Sequence, residues 1–121
     1  MNGTKLLVDT NVFINLGSGN KNVDVNLLGN TLYYSIITEI ELLGFHGITE
    51  FEKIFFADLL SECIPLEVSY SIRITAIELR RNYKLKTPDA IIAASAIELK
   101  IPLLTTDNDF KKVKELNVII I

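Results

Sequence analysis

Acidic residues occur at four widely separated places from which they could share one site. Asp9 ends the first predicted strand, and Asp107 follows the fourth almost at once. Glu39 and Glu41 lie within two turns of the end of the second strand, and Asp89 opens a helix. Because the carboxyl ends of parallel strands meet at one edge of a sheet, the expected fold can bring these carboxylates together. Crowded carboxylates repel one another unless a cation lies between them, and oxygen ligands of this kind suit Mg²⁺ or Mn²⁺.

Other catalytic and metal-binding chemistries are poorly represented in the chain. The sequence has one histidine, His46, in the glycine-flanked stretch "GFHG" of a predicted loop, and one cysteine, Cys63. This content excludes an internal disulfide and argues against a zinc site built on His and Cys. It also argues against a Ser-His-Asp or Cys-His nucleophile. Any chemistry is therefore expected to run on carboxylates.

Each acid also has a purely structural interpretation, which the sequence leaves open. Asp9 in "DTNVF" can cap the helix that follows it. Glu39 and Glu41 are ordinary helix-forming residues, and Asp107 and Asp109 in "TTDNDF" can be turn residues. What favours a functional site is the joint placement of the acids at one edge of one sheet. A single metal site accounts for all four positions, whereas helix capping needs a separate explanation for each.

The stretch "TPDAIIAASA" places an acid near the start of an otherwise apolar helix. Thr87 suits the cap, Pro88 suits the first helical position, and Asp89 is then favoured by the positive end of the helix dipole. The alternative is that this helix delivers Asp89 into a buried site.

Short apolar strands alternate with helical segments along the chain. The predicted strands are residues 5–9, 31–35, 64–68, 102–106 and 117–121, and the predicted helices are 36–45, 48–63, 70–84, 87–100 and 107–116. This alternation predicts an α/β fold, with a twisted parallel sheet of about five strands flanked by helices. The last strand, "NVIII", is apolar throughout and is expected to be buried on both faces. The length of 121 residues suits a single domain spanning residues 1–121.

The composition is that of a globular protein, with 49% hydrophobic and 22% charged residues. The net charge of −3 argues weakly against a non-specific nucleic-acid binder, because phosphate binding rewards a basic surface, but it does not exclude a nuclease. No stretch approaches the roughly 20 apolar residues that a membrane helix needs, and the N-terminal apolar run is too short for a signal peptide. We therefore expect a cytoplasmic protein without a membrane partner.

Three stretches of the chain form a recognisable series, "LLVDTNVFI", "SIITEIELLG" and "TPDAIIAASAIELKIPLLTTDNDF". They resemble the successive motifs of PIN-domain ribonucleases, especially the VapC-like toxins of prokaryotic toxin–antitoxin pairs. The resemblance covers essentially the whole chain, and the last stretch, with its T-x-D-x-D-F ending, is the most specific part. It implies a PIN-like fold, Mg²⁺- or Mn²⁺-dependent endonucleolytic cleavage of RNA, a protein antitoxin that blocks the site, and a homodimer.

The resemblance also implies roles for individual residues. Asp9, Asp89 and Asp107 would bind the metal directly or through water. Glu41 would complete this acidic quartet or orient the attacking water, and it is chosen over Glu39 because "TEIEL" matches the family pattern T-x-x-E-L. The accessory candidates are Asn11, Thr105 and Asp109.

A basic segment lies directly ahead of Asp89. It holds four of the 12 basic residues, which are Arg80, Arg81, Lys84 and Lys86. Cations near a helix C-terminus favour the dipole and stay solvated, which is the structural interpretation. The functional interpretation is that they hold the RNA backbone beside the metal.

The helix predicted over residues 48–63 carries an apolar face that is expected to belong to the core. The residues of this face are Phe51, Ile54, Phe55 and Leu59. Phe56 falls partly off the face, and we hypothesise that it helps to form an apolar groove for an antitoxin segment.

Two rival functions are kept open. A phosphatase with an aspartate nucleophile would also begin with "DTNVF", but that chemistry needs a second acid where Asn11 stands. A catalytically silent PIN-like domain used only for binding is the non-enzymatic alternative, and the intact quartet speaks against it.

Overall fold

The structure, a computed structural model, describes residues 3–19 and 29–121. The strands are β1 (Lys5–Val8), β2 (Thr31–Ser35), β3 (Ile64–Leu66), β4 (Leu103–Thr105) and β5 (Val118–Ile120). The helices are α1 (Thr10–Gly17), α2 (Ile36–Leu43), α3 (Glu50–Ser61), α4 (Tyr70–Asn82) and α5 (Thr87–Leu99), and a 3₁₀ helix spans Asn108–Lys112. The strands form one parallel sheet in the order β3–β2–β1–β4–β5. The predicted α/β fold is confirmed.

Helices cover both faces of the sheet because neighbouring residues of the central strand point to opposite sides. Leu7 of β1 packs in a cluster with Ile72 of α4 and Ile92 of α5. Val8, the next residue, packs in a second cluster that includes Phe56 of α3. The sheet is therefore the middle layer of three, and β1 is buried from both directions.

β1 lies where the chain changes direction across the sheet. From β1 the chain adds β2 and then β3 on one side, and it returns later to add β4 and β5 on the other. Leu7 and Val8 of β1 pair with Leu103 and Leu104 of β4. Open parallel sheets bind ligands beyond the carboxyl ends of the strands at such a switch point. The residues that follow β1 and β4 occupy this position.

The C-terminal segment differs from the prediction in two respects. β5 is an edge strand beside β4, and Ile119 is 38% exposed, so the strand is not buried on both faces. An apolar run predicts a strand, but strand order decides how much of it is covered. Residues 107–116 were predicted as a helix, and only Asn108–Lys112 form one, with 3₁₀ geometry.

The buried face of α3 is also not the predicted one. Phe56, at 6% exposure, and Leu60 are buried in the core, whereas Phe51 is 75% exposed and Ile54 is exposed too. With aromatic residues at positions 51, 55 and 56, the helix has two overlapping apolar faces. Packing beside Leu42 of α2 places the Phe56 face inward.

No helix in the described part of the chain is long and apolar enough to cross a membrane.

Candidate active site

Asp9 is held in a fixed orientation at the carboxyl end of β1. It is the N-cap residue of α1, and its Oδ1 accepts a hydrogen bond of 2.9 Å from the backbone N–H of Thr10. Its Oδ2 accepts one of 2.7 Å from the hydroxyl of Thr105. The side chain is only 3% exposed. The pKa of Asp9 is raised from 3.8 to about 6, mainly by burial. The two hydrogen bonds lower the pKa, and the charges of Asp89 and Asp107 raise it.

Thr105 connects the ends of β1 and β4. While its hydroxyl donates to Asp9, the same oxygen accepts a hydrogen bond of 3.0 Å from the backbone N–H of Asp107. The Oδ1 of Asp107 in turn accepts from the backbone N–H of Asp109 at 2.9 Å, which caps the 3₁₀ helix. Asp9 and Asp107 are therefore helix caps as well as candidate site residues, so the structural and functional interpretations coexist.

Asp89 reaches the same edge of the sheet from α5. This helix begins at Thr87, one residue earlier than a Thr87 cap would place it, because Lys86 is the N-cap residue and its carbonyl accepts from Ala90 N. Asp89 lies in the first turn and is half-buried. Burial raises its pKa most, the negative charges of Asp107, Glu41 and Asp109 raise it further, and Lys86 lowers it. Together with Asp9, acids from four separate elements therefore lie close enough for their charges to act on one another.

The two glutamates of α2 have different surroundings. Glu41 is exposed, and its Oε1 accepts a 2.7 Å hydrogen bond from the hydroxyl of Thr10, the residue next to Asp9. Glu39 instead lies beside Tyr34, and its charge adds to the effect of burial in raising the pKa of the tyrosine hydroxyl. The structure thus groups Glu41, and not Glu39, with the other acids.

A family model places this arrangement among known domains. The PIN domain model matches residues 6–116, a range that includes Asp9, Glu41, Asp89 and Asp107. The chain belongs to the PIN domain family. The resemblance drawn from the sequence motifs is thereby confirmed.

Solved toxin–antitoxin structures contain chains similar to this PIN domain. A chain in a toxin–antitoxin complex from Klebsiella pneumoniae is 31% identical, with a TM-score of 0.79 over 94% of this chain and 95% of that one. The match to VapBC2 from Rickettsia felis, bound to a promoter DNA fragment, has 21% identity and a TM-score of 0.80, covering 96% and 98% of the chains. The match to DNA-bound VapBC from Salmonella typhimurium has 17% identity and a TM-score of 0.81, covering 96% of this chain and 97% of that one. The last two likenesses show the fold alone. No curated protein sequence matches the chain.

The acids of this PIN domain fit a divalent cation in charge and in donor chemistry. Their oxygens are the ligands that Mg²⁺ and Mn²⁺ prefer. Burial, and to a lesser extent the charges of neighbouring acids, raise the pKa values of Asp9 and Asp89, and a cation would favour the ionised form of both. Within residues 3–19 and 29–121, however, no three His, Cys, Asp or Glu side chains are close enough together to form a ready ligand set. The acids therefore suit a divalent cation in charge and in ligand type, but their side chains are not already arranged as a set of metal ligands.

The accessory candidates of this PIN domain lie in different settings. Thr105 is fully buried between two acids, as described above. Asp109 is exposed and acts on Asp89 through its charge. Asn11 is exposed on α1 and makes no hydrogen bond with the acids in the described part of the chain.

The four basic residues ahead of Asp89 are all exposed, but they are not equivalent. Arg80 donates from Nε to the carbonyl of Leu85 at 3.2 Å, and the carbonyl of Lys84 accepts from Nζ of Lys112 at 2.6 Å. Lys86 is near enough to Asp89 to lower its pKa. Arg80 therefore stabilises the loop between α4 and α5, whereas Lys86 is the cation nearest to the acids by its electrostatic effect.

Two buried threonines of the site were not among the predicted site residues. Thr10 and Thr38 lie 2.9 Å apart, hydroxyl to hydroxyl, and Thr10 also contacts Glu41. The sequence held a signal for both, since one follows Asp9 in "DTN" and the other opens "TEIEL". Their contact joins residues from two helices, which sequence spacing alone cannot reveal.

An apolar groove of about 440 Å³ lies between α1, α2 and α3, and Glu41 is part of its lining. Its lining is Ile14, Gly17, Ser18, Glu41, Leu42, Phe45, Phe51, Glu52, Phe55 and Phe56. Phe51 and Phe55 stack with ring centroids 6.2 Å apart. The groove thus shares Glu41 with the acidic site, and its aromatic wall includes the exposed side of α3.

Proposed function

We propose that this PIN domain is a Mg²⁺- or Mn²⁺-dependent endoribonuclease and the toxin of a toxin–antitoxin pair. The observation that carries the proposal is the convergence of Asp9, Glu41, Asp89 and Asp107 at one edge of the sheet. These acids come from β1, α2, α5 and the end of β4, and the pKa values of Asp9 and Asp89 are raised, chiefly by burial and further by the charges of neighbouring acids. Such an arrangement is unfavourable in the empty protein, which is typical of a site that binds a cation.

The proposed chemistry divides the work between the cation and the chain. A bound Mg²⁺ or Mn²⁺ lowers the pKa of water and stabilises negative charge on a phosphate. Asp9, Asp89 and Asp107 would hold the cation, and Glu41 would complete the site or orient the attacking water. Thr105 keeps Asp9 turned toward the site by its hydrogen bond. Arg81 and Lys86 would hold the RNA backbone nearby.

Cleavage of total RNA with Mg²⁺ and with chelator tests the activity. We expect fragments only with the metal, and we expect Asp89→Asn to abolish them while the protein still folds, because asparagine keeps the shape and removes the charge. Asp58→Asn, an exposed acid on α3, is the matched control. A phosphatase would release phosphate without shortening the RNA. Metal-independent fragments, or full activity in Asp89→Asn, would contradict the proposal.

An antitoxin is the proposed protein partner, and the groove between α1, α2 and α3 is its proposed contact. The similar Klebsiella structure is named a toxin–antitoxin complex, and those from Rickettsia and Salmonella are named VapBC2 and VapBC. The groove is apolar apart from Glu41, Glu52 and Ser18, so an amphipathic segment with a cation near Glu41 would fit it. Such a segment would cover the acidic site from one side.

A homodimer is also proposed. Tyr70, Ile74 and Ile77 lie along one exposed side of α4, away from the groove. An apolar helix side of this kind is typical of an interface between copies. Sedimentation equilibrium of the wild type and of Ile77→Glu tests it, with dimer loss expected in the variant.

A catalytically silent domain that only binds a partner is the second candidate. What favours it is that Asp9 and Asp107 both act as helix caps, which gives each a structural reason to be present. The RNA cleavage experiment separates the two candidates.

A further inference from the structure

Glu41 differs from the other acids of the site in being exposed yet held by a buried hydroxyl. Its Oε1 lies 2.7 Å from Oγ1 of Thr10, and that oxygen lies 2.9 Å from Oγ1 of Thr38. Thr10 and Thr38 are both buried, and Thr38 is completely so. A free glutamate on a helix surface would sample many rotamers, so this contact is what restrains the carboxylate at the start of α1.

The direction of the hydrogen bonds follows from the number of protons. A hydroxyl has one proton to donate, and an ionised carboxylate can only accept. Thr10 therefore gives its proton to Glu41, and Thr38 must give its own to Thr10. A hydroxyl that accepts one hydrogen bond becomes a stronger donor of the next, so Thr38 strengthens the contact with Glu41.

The two hydroxyls also connect separate elements of the site. Thr38 and Glu41 are one turn apart on α2, and both meet Thr10, the first residue of α1. Thr10 further donates its backbone N–H to Asp9. One residue thus fixes the carboxylates of Asp9 and Glu41 relative to each other.

We propose that Thr38 is a positioning residue of the site: through Thr10, its hydroxyl orients the carboxylate of Glu41 within the acidic site. The effect on Glu41 is independent of any activity, whereas its consequence for metal binding rests on the proposed function. The competing explanation is that the Thr38 hydroxyl merely satisfies a buried polar position in the core.

Two substitutions at position 38 separate these explanations. Thr38→Val keeps the shape and removes the hydroxyl, and Thr38→Ser keeps the hydroxyl and removes a methyl group. The matched control is Thr75→Val, because Thr75 of α4 also donates to a glutamate on another helix, Glu98, at 2.8 Å, but outside the site. If Thr38→Val does not fold, Thr38→Ala takes its place, because it differs from Thr38→Ser only in lacking the hydroxyl.

The first measurement is the side-chain order of Glu41 by NMR relaxation in the metal-free protein. We expect the order parameter of the Glu41 methylene groups to fall in Thr38→Val and to stay near the wild-type value in Thr38→Ser. Thr75→Val should lower the order of Glu98 and leave Glu41 unchanged. An unchanged Glu41 in Thr38→Val, or an equal loss in Thr38→Ser, would overturn the proposal.

The second measurement is Mn²⁺ affinity by calorimetric titration. We expect Thr38→Val to weaken Mn²⁺ binding about tenfold, the lower end of the range for residues that orient metal ligands, and Thr38→Ser to restore most of it. Unaltered affinity in Thr38→Val would overturn the role in metal binding. If the wild type itself binds no Mn²⁺ and cleaves no RNA, the proposed function fails, and the orienting role of Thr38 is still decided by the order of Glu41.

Discussion

The hydroxyl of Thr105 donates a 2.7 Å hydrogen bond to Oδ2 of Asp9, although 96 positions separate the two residues in the chain. Both side chains are buried where β4 and β1 end side by side. This bond opposes the effect of burial on the pKa of Asp9. It therefore helps to keep an ionised carboxylate inside the protein.

Removing the Thr105 hydroxyl should make Asp9 harder to ionise. In Thr105→Val we expect the pKa of Asp9 to rise above about 6, by up to about one unit for one lost hydrogen bond. Asp9 would then be protonated over a wider pH range, so Mn²⁺ binding should need a higher pH. Calorimetric titrations across the neutral range measure the shift, with Thr75→Val as control. An unshifted pH dependence would show that the bond does not control the ionisation of Asp9.

Asp9 should also make the metal-free protein less stable as the pH rises. Its pKa is about 6 in the folded protein against 3.8 ordinarily, so between these values the folded state binds more protons than the unfolded chain. The stability that this group contributes is therefore fully present below pH 3.8 and is lost as the pH rises through 6. The loss in the free energy of unfolding is at most about 3 kcal/mol. Asp89, whose pKa is also raised, acts in the same direction.

Urea unfolding with chelator at about pH 5 and about pH 8 measures this dependence. The free energy of unfolding should fall between the two conditions by more in the wild type than in Asp9→Asn, because asparagine does not titrate. Comparing the two proteins cancels the contribution of every group that the charge of Asp9 does not influence. Identical falls in both proteins would show that Asp9 titrates normally.

The two glutamates of α2 should differ in importance. We expect Glu41→Gln to lower RNA cleavage on the order of 10²-fold, because the uncharged amide contributes less than a carboxylate to a site that binds a cation. Glu39→Gln should leave cleavage near the wild-type rate, because Glu39 contacts Tyr34 on another side of α2. A reversed order of effects would mean that Glu39 is the acid of the site.

The groove should bind the antitoxin through exposed aromatic residues. We expect Phe51→Ser to weaken binding of the antitoxin encoded beside the gene, with stability unchanged within about 0.5 kcal/mol, because Phe51 is exposed. Phe56→Ser is unsuitable for this test, since it removes a core side chain and should cost about 3–5 kcal/mol. Ile119→Ser, exposed on the edge strand β5 and outside the groove lining, is the control. Equal antitoxin affinity in both variants would remove Phe51 from the interface.

Two cations of the basic segment ahead of Asp89 should contribute to RNA binding. Replacing Arg81 and Lys86 by glutamine should weaken binding and lower the salt slope by about 1.4, or roughly 0.7 for each phosphate contact with a single strand. Arg80 is left in place because it also stabilises the loop through Leu85. The control is Lys5→Gln with Lys53→Gln, which changes the net charge equally at distant positions. An equal slope in both double variants would place the RNA path elsewhere.

The gathering of the acids could be anticipated from the sequence because it depends on topology. Asp9 and Asp107 directly follow strands, and parallel strands end at one edge whatever their side chains contact. Glu41 could be separated from Glu39 only through the family motif, since both residues lie on one helix. Their different surroundings became visible only with the packing of α2 beside Thr10 and Tyr34. The roles of these acids in metal binding and catalysis remain predictions.

Features that depend on tertiary packing were not predictable. The Phe56 face of α3 is buried because it meets the cluster beneath the sheet, whereas the sequence offered two apolar faces of similar quality. The edge position of β5 follows from strand order, which an apolar run such as "NVIII" does not encode. The contact between Thr10 and Thr38 likewise joins two helices whose relative placement is set by the whole sheet.

Glu41 borders both the apolar groove and the acidic cluster, so two ligands would meet at one side chain. A partner segment that places a cation against Glu41 would compete with a divalent ion for the same negative charge. Equilibrium linkage then requires the two affinities to change each other by an equal factor. If so, the concentration of free magnesium would set how tightly the partner is held, and release of the partner would be a metal-dependent event.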